Sequence, residues 1–206
     1  MNPASLVAAP FQFHSRLFGQ IKPCLKIPRI GRNLVLLGDC FPMYGKYLND
    51  SLQLRDYVSY GWDRVFIVPG LVELAGNGLR PWLRNMEDFQ EVVESSPCKN
   101  MMIMNNSEVV LPEATLIGAT FWPGMDQTPD QIIRSYPQFV KKHVNNWIED
   151  DLEFMDQSIK MAIGSGSSKK KTIVCTYFPV HGDMFMLPST AAAIEANLKF
   201  IKGHQQ

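Results

Sequence analysis

The groups in this chain that are able to do chemistry are few and scattered. Asp39 follows Gly38 at the end of an apolar run, and Glu73 lies three residues after Gly70 in Val68-Pro-Gly-Leu-Val-Glu73. A carboxylate at a strand end commonly caps a turn or the next helix. Glu73, in a loop, reads on its own as solvated. The histidines are His14, His143, His181 and His204. His143 stands beside Lys141-Lys142 and reads as a surface residue. His181, in Pro179-Val-His-Gly-Asp183, reads as a hydrogen-bonded loop residue, and His204 as part of a frayed tail. The stretch Gly164-Ser-Gly-Ser-Ser168 before Lys169-Lys-Lys171 suggests phosphate binding, but it lacks the Gly-Lys-Ser/Thr of a P-loop. It also precedes an apolar run, whereas a phosphate loop opens a helix. A solvated linker is the expectation there.

Cys24, Cys40, Cys98 and Cys175 form no C-x-x-C pair, and they read as reduced thiols of an intracellular protein. Asn49-Asp-Ser51 and Asn105-Asn-Ser107 fit the glycosylation pattern. The start, residues 1–13, has no basic n-region, so no secretory signal is expected and these are read as chance matches. No run approaches the roughly 18 apolar residues needed to span a bilayer.

The elements that must position these groups follow from apolar periodicity. Residues 33–38 and 64–69 are apolar runs without polar alternation, which suits strands buried on both faces. Leu48, Leu52, Tyr57 and Val58 give a helical face between them, so a β-α-β unit with parallel strands is expected. Leu83, Met86, Phe89 and Val93 predict a helix over 82–95, stopped by Pro97. Three short runs, 101–104, 108–111 and 115–122, are divided by Asn105-Asn106 and Pro112 and predict a meander of strands. Residues 129–161 predict a long helical region in two pieces, interrupted at Pro137. Residues 172–176 predict another buried strand, and 189–202 a final helix between Ser189 and Gly203. With 206 residues, 46% of them hydrophobic and 19% charged, the chain has the composition of a folded α/β domain.

Read in order, Gly38-Asp39, Val68-Pro-Gly-Leu-Val-Glu73, Leu116-Ile-Gly-Ala-Thr-Phe-Trp122, Ile173-Val-Cys-Thr-Tyr-Phe-Pro179 and Phe200-Ile-Lys-Gly-His204 resemble the calcineurin-like metallophosphoesterase family. The resemblance runs from about Arg32 to the end of the chain. It implies a four-layer α/β sandwich, two mixed sheets flanked by helices, over residues 33–206. Residues 1–32 are expected to form a separate basic N-terminal segment, an arm. In that family two divalent metals such as Mn or Fe/Zn, about 3.5–4 Å apart, polarise a phosphoester and generate a hydroxide.

Carried over by position, Asp39 matches the bridging aspartate and Glu73 the glutamate of the third motif. Leu71 and Val72 replace its metal-binding amide and catalytic imidazole. Tyr177 and Phe178 stand near the paired histidines. His204 matches the first histidine of the last motif, and Gln206 replaces the second. The first motif is missing, because no Asp or Glu precedes Asp39 and His14 has no carboxylate two residues before it. His181 is placed to act as a replacement ligand. The resemblance therefore implies a degenerate, C-terminally short member with a vestigial metal set of Asp39, His181 and His204, no resident cofactor and no catalytic residue.

The expected function is that of a non-catalytic, intracellular binding or structural component of a larger assembly, such as a virion. The alternatives are an active metal-dependent phosphoesterase with a rewired site, and a regulatory domain that binds a phosphoryl ligand. A protein partner or self-association is expected, with no membrane span. Net charge is zero, which excludes a globally basic nucleic-acid binder. That zero divides into +5 over residues 1–38, from Arg16, Lys22, Lys26, Arg29 and Arg32, and −5 over residues 39–206. Nucleic acid is therefore expected only through the basic N-terminal segment, if at all.

Overall fold

The computed structural model describes residues 6–9, 31–41, 48–70, 73, 82–121, 137–164 and 171–177. They form a mixed α/β fold with two sheets. The first sheet contains β1 (Leu6–Ala9), β2 (Asn33–Leu37), β3 (Arg64–Val68) and β4 (Met101–Ile103), in that spatial order and all parallel. Leu6–Ala9 of the basic segment is thus an edge strand, with Leu6 opposite Asn33. Between β2 and β3 runs α1 (Leu48–Gly61), and between β3 and β4 runs α2 (Trp82–Glu94).

Chain order and spatial order coincide here, so each crossover steps the same way across the sheet. Crossovers of one hand then place their helices on one face. Alternation along the strands matches this placement. Leu34, Leu36, Val65 and Ile67 pack with Val58 and Trp62 of the α1 region and with Phe89 and Val93 of α2. Val35, Phe66 and Val68 point the other way.

The second sheet contains β5 (Ser107–Val110), β6 (Ala114–Ala119) and β7 (Lys171–Thr176). β5 and β6 are antiparallel, and β6 and β7 are parallel. One face, through Leu116 and Cys175, packs with Val35, Phe66 and Val68 of the first sheet, along with Met104 and Leu111. The other face, through Ile117 and Ala119, packs against Met155 of α3 (Pro137–Gly164).

Two expectations change. The middle of the chain is not one meander, because β4 joins the parallel sheet while β5 and β6 form a hairpin of the second. Between β4 and β5, Asn106 takes a φ of 46°, a conformation asparagine tolerates better than most residues. The first sheet is all parallel among the described residues, where two mixed sheets are expected. Pro137 is the first residue of α3, a position whose amide has no helical partner to lose. Residues 129–136 and 189–202 lie outside the described residues.

Candidate functional site

The ends of β2, β3, β6 and β7 meet on one side of the molecule. Gly38 and Asp39 leave β2 with φ values of 65° and 53°. The turn that follows aims the N–H groups of Asp39, Cys40 and Phe41 at a common point, an anion-binding concavity. Asp39 takes its left-handed conformation at a cost that only aspartate, asparagine and glycine bear routinely.

The concavity is occupied by Glu73. Its Oε1 accepts from the N–H of Cys40 at 2.6 Å and of Phe41 at 2.7 Å. Its Oε2 accepts from the N–H of Asp39 and of Gly70, both at 2.9 Å. Glu73 is fully buried. The reading of Glu73 as a solvated loop residue is therefore corrected. A carboxylate leaves water when enough donors replace its hydration, and four backbone amides do so here. Phe41 anchors the far end of the loop, with its ring 5.9 Å from that of Phe89 in the helix-facing core.

Burial, followed by the charge of Asp39, pushes the Glu73 carboxyl up to about 7 against the pull of its amide donors. The folded chain therefore holds this proton more tightly than the unfolded chain, in which a glutamate titrates near 4.3. Stability contributed by Glu73 is present below about pH 4.3 and is lost as pH rises through about 7. Denaturant midpoints at pH 5 and pH 8 are expected to show this loss in the native chain. In Glu73→Gln it is expected to be absent. The Cys40 thiol is buried beside the same pair, donates to the carbonyl of Gly38 at 3.1 Å, and is pushed up by burial and by Glu73 and Asp39.

Asp39 faces the second sheet. The phenol of Tyr177, the residue after β7, donates to Asp39 Oδ2 at 2.6 Å. The Tyr177 ring lies so close to Gly38 that a Cβ there would overlap it. A second link between the sheets runs from Thr120, just past β6, whose hydroxyl donates to the carbonyl of Pro69 at 3.0 Å. Thr120 is fully buried, and Phe121 beside it has a φ of 60°. Three left-handed non-β conformations, at Gly38, Asp39 and Phe121, thus fall at the strand ends that converge here.

Of the residues singled out from the sequence, the structure brings together Asp39, Glu73 and Tyr177. Leu71, Val72, Phe178, His181, His204 and Gln206 lie outside the described residues. Sequence reasoning missed the amides of Cys40 and Phe41, the Thr120 link, and the bond from Tyr177 to Asp39. Its one available signal was Gly38-Asp39 after a strand, a pair suited to left-handed backbone.

Among the described residues, no group of three or more His, Cys, Asp or Glu is placed to hold a metal ion. Glu73 uses both oxygens on backbone amides, and Asp39 Oδ2 accepts from a phenol. His181 and His204, the other expected ligands, lie outside the described residues. Comparison with protein-family models, with curated proteins and with solved structures finds no match to this chain.

Proposed function

We propose that this chain is a non-catalytic protein built on the four-layer metallophosphoesterase sandwich, serving as a binding or structural component of a larger assembly. The observation that carries the reading is the phenol of Tyr177 on Asp39 Oδ2 at 2.6 Å. The carboxylate that the resemblance makes a metal bridge is held by a proton donor from the facing sheet. The three packed clusters support the four-layer part. One joins helices to the parallel sheet, one joins the two sheets, and one joins the second sheet to α3.

The proposed partner is a protein or a second copy of this chain, with the basic segment 1–32 as one contact. No helix among the described residues is long and apolar enough to cross a membrane.

The test is a calorimetric titration with Mn²⁺ joined to hydrolysis of a generic phosphodiester. The expected result is no metal-dependent turnover. Tyr177→Phe is expected to cost about 1–2 kcal/mol in denaturant unfolding, the worth of a hydrogen bond to a charged group that is partly exposed. Turnover in that variant is expected to remain absent. Two equivalents of bound metal, with turnover abolished by Asp39→Ala, would overturn the reading in favour of a site rewired through Asp39, His181 and His204.

A further inference from the structure

The anion in the β2 loop and the amides that hold it come from different parts of the chain. The donors at Asp39, Cys40 and Phe41 lie 32 to 34 residues before Glu73 in sequence. The fourth donor, Gly70, approaches from the end of β3. The backbone forms the receptor, and a single side chain supplies the ligand. The receptor loop carries left-handed backbone at Gly38 and Asp39 and is anchored by the buried Phe41. The bound group itself is two methylenes and a carboxylate, fully enclosed.

The geometry points to a carboxylate-binding site whose resident ligand is the side chain of Glu73, and which takes a free monocarboxylate when that side chain is cut back. The site discriminates by length, because the enclosure admits only what has been removed. Glu73→Ala keeps Cβ and removes one methylene and the carboxylate, so acetate restores the missing atoms. Glu73→Gly removes both methylenes, so propionate does. Butyrate is too long for either. In the native chain the same four donors are already spent, so they offer nothing to a phosphate or carboxylate arriving from outside. The inference needs only this geometry and is independent of the non-catalytic reading.

The test is thermal and denaturant unfolding of the full chain at pH 5 and at pH 8. Acetate, propionate and butyrate are compared with sodium chloride at matched ionic strength. Where a variant does not fold alone, refolding yield in saturating carboxylate is the measurement. Expected is a saturable gain. At a probe concentration roughly a hundredfold above half-saturation, the ratio of folded to unfolded chain rises about a hundredfold. Acetate is the better probe for Glu73→Ala and propionate for Glu73→Gly. The native chain and Glu73→Gln, whose amide fills the space without the charge, gain no more than with chloride. The inference is overturned if chloride gives the same gain, if the length preference does not switch between the two variants, or if both variants stay unfolded in saturating carboxylate.

Discussion

In the absence of added carboxylate, Glu73→Ala is expected to abolish the folded state. The substitution removes no large apolar surface. What it does is strip the acceptor from four backbone amides, those of Asp39, Cys40, Phe41 and Gly70. A buried donor left without a partner costs about 1–3 kcal/mol. Four of them reach the whole stability of a typical domain, about 5–15 kcal/mol. The loss is expected whichever protonation state Glu73 holds, because the carboxylate and the carboxylic acid are both acceptors. Glu73→Gln is expected to cost less, since one oxygen survives, although its amide N–H₂ then confronts two donors. The measurement is the soluble yield and the denaturant midpoint of each variant. Near-native stability of Glu73→Ala would mean that the amides find other partners.

Gly70→Ala is expected to be strongly damaging as well. A Cβ at this position would lie 2.6 Å from the Asp39 amide nitrogen, 2.7 Å from Asp39 Oδ1 and 2.8 Å from the Gly38 Cα. Real contacts of a methyl group are nearer 3.5–4.0 Å. Two of these three neighbours are backbone, so no rotamer change relieves the overlap. The ends of β2 and β3 must separate, and the Gly70 amide is then drawn off Glu73 Oε2. A cost of about 3 kcal/mol or more is expected, above the 1–3 kcal/mol usual for overpacking. Gly61→Ala is a useful contrast, because a Cβ there meets nothing within 4 Å. The two variants, compared by urea unfolding, separate a backbone overlap from open space. Equal midpoints would show that the ends of β2 and β3 can move apart at little cost.

Much of the frame is legible in the sequence because it depends on local pattern. Leu34 to Leu37 and Val65 to Val68 are unbroken apolar runs, and both lie in strands covered on both faces. The helix over Trp82–Glu94 follows from Met86, Phe89 and Val93 recurring at three to four residues. The partition of the middle strands between two sheets is not legible, since nothing in Met101–Ile103 names its neighbour. Pairing is decided by β3, more than thirty residues earlier. The site divides the same way. Asp39 stands out as a strand-end carboxylate next to glycine. Glu73 does not stand out, because a lone glutamate in a loop looks solvated until four distant amides are seen to replace its water. Tyr177 could be placed by resemblance beside the expected histidines, but its role as a donor to Asp39 depends on two sheets facing each other.

The sequence separations of these bonds also set an order of assembly during synthesis. Glu73 and its donors are all present once residue 73 has left the ribosome, and the parallel sheet is complete at residue 103. The bond from Tyr177 to Asp39 spans 138 positions. It cannot close until β5, β6 and β7 have all been made. Chains emerge N-terminus first, at about 5–20 residues per second. For several seconds, therefore, a nascent chain carries a filled carboxylate nest beside an Asp39 that the phenol has not yet reached. Among the described bonds of this site, closure by Tyr177 is the last to become possible.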